Sequence, residues 1–62
     1  MSADPRRVGG VYRCAYWQQT YEVLATERRD GVAWFRVRWA DGGVTVHCTA
    51  WDRRDRVVSQ PS

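Results

Sequence analysis

The side chains able to do covalent or metal chemistry in this chain are few: Cys14, His47, Cys48 and a scatter of carboxylates at Asp4, Glu22, Glu27, Asp30, Asp41, Asp52 and Asp55. His47 and Cys48 adjoin, which is the nearest approach to a nucleophile with its base. On an extended strand, however, neighbouring side chains point to opposite faces, so the two cannot share a proton. No Ser-His-Asp arrangement, glycine-rich phosphate loop or paired carboxylate motif accompanies them. Cys14, His47 and Cys48 would offer a metal three ligands at spacings unlike those of a closed zinc site. The expectation is therefore a non-catalytic protein with no cofactor, no metal and no small-molecule substrate.

Binding chemistry is better represented. Trp34, Arg36 and Arg38 alternate along one segment, and Thr45, His47 and Thr49 alternate along the next. Guanidinium and hydroxyl groups contact phosphate oxygens, and an exposed indole stacks on a base or wedges in a groove. These six residues form the candidate nucleic-acid site, DNA or RNA. The competing reading makes Arg36 and Arg38 solvated strand residues and Trp34 a cover for a core edge. A second set, Tyr16 and Trp17 with Trp51, and with Arg53 and Arg54 nearby, is the alternative site, for a protein partner, which an open strand edge could also pair with. Ring faces attract cationic groups, although Trp51 serves equally to close one end of a small core.

The elements that must position these residues are strands. The run Trp34 to Thr49 alternates on both sides of Asp41-Gly42, the pattern of a β-hairpin with a two-residue turn. That register sets Trp39 against Val44, Val37 against Val46 and Phe35 against Cys48 on an apolar face. It sets Arg38 against Thr45, Arg36 against His47 and Trp34 against Thr49 on an open one. Residues 20–28 form the preceding strand, joined through a three-residue loop Arg29-Asp30-Gly31 with Gly31 in a bulge. Val23 then faces Val37, Ala25 faces Phe35, Tyr21 faces Trp39, and Glu22 lies beside Arg38. A two-residue Asp30-Gly31 turn would instead send Glu22 and Thr26 inward. Val11 to Ala15 and Arg56 to Ser59 read as first and last strands, with Tyr16-Trp17-Gln18-Gln19 as a loop and one helical turn over residues 50–55. Residues 1–7 read as a flexible arm, 8–59 as the domain and 60–62 as a frayed end.

This layout of five strands, tight hairpins and a helical turn around Ala50-Trp51-Asp52 resembles the SH3-like small barrels, the group that holds Tudor and chromo-type domains. The open face resembles that of small archaeal chromatin proteins, which are lysine-rich where this chain is not. The resemblance implies an all-β, single five-stranded barrel with a one-turn helix before the last strand. The acidic loop, paired tyrosines and tryptophan-proline pattern of proline-binding SH3 domains are not visible.

Composition agrees with such a module. Sixty-two residues make one small domain, and eight aromatic rings, four of them tryptophan, compensate for its limited core. All ten basic residues are arginine, a bias expected of a GC-rich bacterial genome, and the net charge is +3. That charge suits nucleic acid or an acidic protein partner without demanding either. The chain has no membrane-length apolar run and no secretory signal, so a cytoplasmic location with reduced Cys14 and Cys48 is expected.

Overall fold

A computed structural model describes residues 4–47 and 50–61. Five antiparallel strands follow in chain order: β1 (Val11–Cys14), β2 (Gln19–Arg29), β3 (Val32–Trp39), β4 (Val44–His47) and β5 (Arg56–Ser59). They form one sheet in the order β4-β3-β2-β1-β5. The fold is all-β, as expected, but the sheet is not closed, and β4 and β5 remain its edges. Its extents of 29 × 27 × 26 Å show that it wraps around its inner face, since a flat sheet would be thin in one direction. That face carries the core of Tyr12, Tyr21, Val23, Phe35 and Val37, with Cys14, Trp39 and Trp51 packed around it.

The long β2–β3 hairpin meets one expectation and corrects another. Tyr21 pairs with Trp39, Glu22 with Arg38 and Val23 with Val37, as the apolar alternation requires. The loop, however, is the two-residue Asp30-Gly31 turn, flanked by the pair Arg29 and Val32. Both turn residues have positive φ, 51° and 78°, the combination whose twist suits adjoining strands. The phase conflict that this turn creates is resolved by a bulge between Val23 and Ala25. Beyond it Ala25 pairs with Arg36 and Thr26 with Phe35, in place of the expected Ala25–Phe35 pair. Leu24 absorbs the extra residue, so Glu22 stays on the outer face.

The β3–β4 hairpin corrects the expectation in the opposite sense. Its loop has three residues, Ala40-Asp41-Gly42. The Gly42 N–H donates to the Trp39 carbonyl at 2.8 Å, and the Trp39 N–H donates to the Gly43 carbonyl at 2.8 Å. Gly42 holds φ at 92°, which a side chain would oppose. The one-residue change of register pairs Phe35 with His47, Arg36 with Val46, Val37 with Thr45 and Arg38 with Val44. Every β4 side chain consequently lies on the face opposite to that expected. Val44 and Val46 stand outward, 53% and 40% exposed, while Thr45 and His47 turn toward Trp39.

The expected helical turn before β5 is a simple turn: the Asp55 N–H donates to the Asp52 carbonyl at 2.8 Å, and no helix occurs among the described residues. No helix among them is long and apolar enough to cross a membrane.

Candidate functional site

The inner face opens at one end into a cleft of about 450 Å³ lined by Tyr16, Trp17, Tyr21, Phe35, Trp39 and His47 among others. Its most exposed rings come from the four-residue β1–β2 loop, residues 15–18. The Gln18 N–H donates to the Cys14 carbonyl at 2.8 Å, and Gln18 takes φ of 55° to close that loop. Tyr16 and Trp17 project from it 76% and 58% exposed, packed edge to face with centroids 4.8 Å apart. Asp55 ties the loop to the segment before β5, accepting hydrogen bonds from the Ala15 N–H at 2.7 Å and the Asp52 N–H at 3.2 Å.

A continuous aromatic relay runs from the core to the cleft. Tyr12 lies 5.8 Å from Tyr21, and Tyr21 lies 5.1 Å from Trp39. Trp39 meets His47 edge-on at 5.4 Å. The Trp39 indole N–H donates to Thr45 Oγ1 at 2.6 Å, and Thr45 Oγ1 lies 2.5 Å from His47 Nε2. Having accepted from the indole, the Thr45 hydroxyl has its own proton available for an unprotonated imidazole nitrogen. Thr45 and His47 thus fix the Trp39 ring at the cleft wall.

Arg6 forms another wall. Its side chain is only 4% exposed, and its guanidinium carbon lies 4.1 Å over the Phe35 ring and 5.9 Å from Trp51. The Asp4 carboxylate accepts from Nε and Nη2 on one edge of the same guanidinium, at 3.0 and 2.7 Å. Burial pushes the Asp4 carboxyl up, but the hydrogen bonds from the Arg6 side chain and N–H more than reverse this and hold it below its ordinary value. Burial likewise lowers the Arg6 pKa, and the bond to Asp4 together with the Tyr21 oxygen raises it above normal. Burial raises the Tyr21 hydroxyl, against the pull of Arg6. Across the cleft, the hydrogen bond from the Arg54 side chain brings the half-buried Asp52 carboxyl down to about 2.

The residues read as a nucleic-acid site are divided between two faces. Trp34, Arg36 and Arg38 lie on the outer face of β3, while Thr45 and His47 belong to the inner face; Thr49 and Cys48 lie outside the described residues. The two arginines have carboxylates close by: Arg38 is 3.7 Å from Glu22 and Arg36 is 4.0 Å from Glu27. Arg29 also binds Glu27, at 2.7 Å, and sits 5.8 Å over Trp34. Of the residues read as a protein-binding site, Tyr16 and Trp17 are in contact. Tyr16 and Trp17 flank the cleft, Trp51 is half-buried with its ring 5.9 Å edge-on to Tyr12, and Arg53 and Arg54 are exposed on the turn beyond. Sequence reasoning missed Trp39, Tyr21 and Arg6 as lining residues. The indole N–H of Trp39 was the available signal, because a half-buried tryptophan needs a hydrogen-bond partner, which Thr45 supplies once it stands on the inner face.

No group of three or more metal-ligating side chains occurs among the described residues. A scan against protein-family models and searches of curated proteins and of solved structures returned no significant match.

Proposed function

We propose that this chain is a non-catalytic binding module of the SH3-like small-barrel type, whose aromatic cleft takes an extended segment of a partner protein. The five antiparallel strands, the tight hairpins and the turn ahead of β5 support the architectural part of this reading. The functional part rests on one observation: Tyr16 and Trp17 are held largely in solvent at the rim of a cleft with an apolar floor. Exposed aromatic pairs beside a preformed apolar groove are the usual anchors of a protein interface. The outer face, by contrast, keeps Arg36 and Arg38 for phosphate but sets Glu22 and Glu27 beside them.

Selection of a displayed random-peptide library on the intact protein tests the proposal. Peptides that bind and lose at least about tenfold in affinity with Trp17→Ala, the cost of one anchoring ring, support it. A library that yields no binder, or binders indifferent to Trp17→Ala, rejects it. Parallel titrations with duplex DNA and single-stranded RNA test the outer face: binding that is lost in Arg36→Ala with Arg38→Ala would establish the nucleic-acid reading in its place.

A further inference from the structure

The segment Asp4-Pro5-Arg6-Arg7 belongs to no strand, yet it is seated along the mouth of the core. Its fastenings are specific. The Arg7 N–H donates to the Tyr12 hydroxyl oxygen at 2.7 Å, that hydroxyl donates to Gln60 Oε1 at 2.8 Å, and Gln60 Nε2 donates to the Pro5 carbonyl at 3.1 Å. The end of the strap is the Arg6 guanidinium, stacked on Phe35 and flanked by Trp51. The same side chain borders the open part of the cleft, beside Tyr21, Trp39 and Tyr16. The subsite that Arg6 fills and the space that remains open are therefore parts of one depression.

We propose that residues 4–7 are a tethered, self-inhibiting occupant of this cleft, and that a partner segment occupies it fully by presenting its own arginine to Phe35 and Trp51 in place of Arg6. The inference rests on the cleft being the binding site. Its chemical basis is that Phe35 and Trp51 already hold a guanidinium, that of the chain's own Arg6, with Tyr21 in the same lining. Asp4 leaves with the strap, but Asp55 stays in the lining, its carboxylate held by backbone N–H groups. Covalent attachment gives Arg6 an effective concentration on the order of millimolar, so it outcompetes weak ligands without any added contact.

The test uses a peptide copying residues 4–8, Asp-Pro-Arg-Arg-Val with blocked ends, titrated against the full chain and followed by amide and indole NMR shifts. A strap seated in nine molecules of ten lowers the apparent affinity about tenfold, so Arg6→Ala is expected to bind the peptide at least about tenfold more tightly than the wild type. A peptide with alanine in place of its first arginine is expected to lose that binding. Asp4→Ala, which loosens the strap while leaving the Phe35 stack intact, is expected to give an affinity between the two, and it decides the matter if Arg6→Ala does not fold. Equal affinity for wild type and strap variants, no binding to either variant, or indifference to the peptide's arginine overturns the proposal. If that happens while library peptides still bind in a Trp17-dependent way, the cleft remains the site and only the strap is rejected.

Discussion

At the scale of single residues, Tyr12 is the point where the two chain ends meet the core. Its ring is fully buried and its hydroxyl serves both Arg7 and Gln60. Tyr12→Phe leaves the Arg7 N–H without that acceptor, and a part-buried donor so orphaned costs roughly 1–3 kcal/mol. Urea unfolding should register this as a lower midpoint with an unchanged slope. Gly10 adjoins the same ring, and a β-carbon there would collide with the phenol oxygen, so Gly10→Ala should be more damaging than its small size suggests. The Asp4–Arg6 pair makes strap docking depend on pH. The Asp4 carboxyl titrates below its ordinary 3.8 in the folded protein, so its contribution is complete above that value and disappears as pH falls through the lower, folded one. Amide exchange at Arg7 should accelerate in that acid window, and Asp4→Asn should abolish the change. None of this was legible in the sequence, where Asp-Pro-Arg-Arg near a terminus has the composition of a solvated arm. Only the tertiary proximity of Phe35 and Trp51 makes Arg6 a buried side chain.

At the scale of elements, the strands were legible because period-two alternation survives any small error in pairing, whereas the registers depended on the choice between two- and three-residue turns. Both Asp-Gly steps admit either form. At Asp41-Gly42 the inward-facing valines of β4 looked decisive, but the hydrogen bond from the Trp39 indole to Thr45 belongs to the opposite register. At Asp30-Gly31 the two-residue turn prevails because a bulge at Leu24 corrects the phase, and nothing in a single sequence marks Leu24 as the extra residue. Gly42→Ala should therefore cost about 1–2 kcal/mol, the penalty of left-handed backbone for a residue with a side chain. Between β1 and β5 the same reasoning exposes a like-charge pair, because Arg13 lies directly opposite Arg56 with both exposed. Opposite charges across a strand pair stabilise by roughly 0.2–1 kcal/mol and like charges destabilise. Arg56→Glu should thus raise the unfolding midpoint at low ionic strength, with the gain shrinking as salt is added.

For the whole molecule, the arginines matter less by their number than by their pairing. Arg6, Arg29, Arg36, Arg38 and Arg54 each lie within 4.0 Å of a carboxylate, so the +3 net charge is spread thinly and the outer sheet face is a mosaic of both signs. The ring-lined part of the cleft wall is the larger departure from an ordinary surface, since apolar groups that remain exposed beside a depression gain most from being covered. The two surfaces predict opposite responses to salt. A protein that releases counterions through three or four phosphate contacts loses affinity with a log-log slope of about −3 to −4. The residual outer-face charge is too small for that, and duplex DNA should bind with a dissociation constant no tighter than about 10⁻⁴ M at physiological salt, the weak limit of non-specific association. Library peptides held by Tyr16 and Trp17 should change affinity by less than about threefold between 50 and 300 mM salt, because ring burial is not screened. Fluorescence anisotropy of both ligands across one salt series would separate the cases. A steep slope with DNA and a salt-sensitive peptide would mean that charge, and not the aromatic cleft, selects the partner.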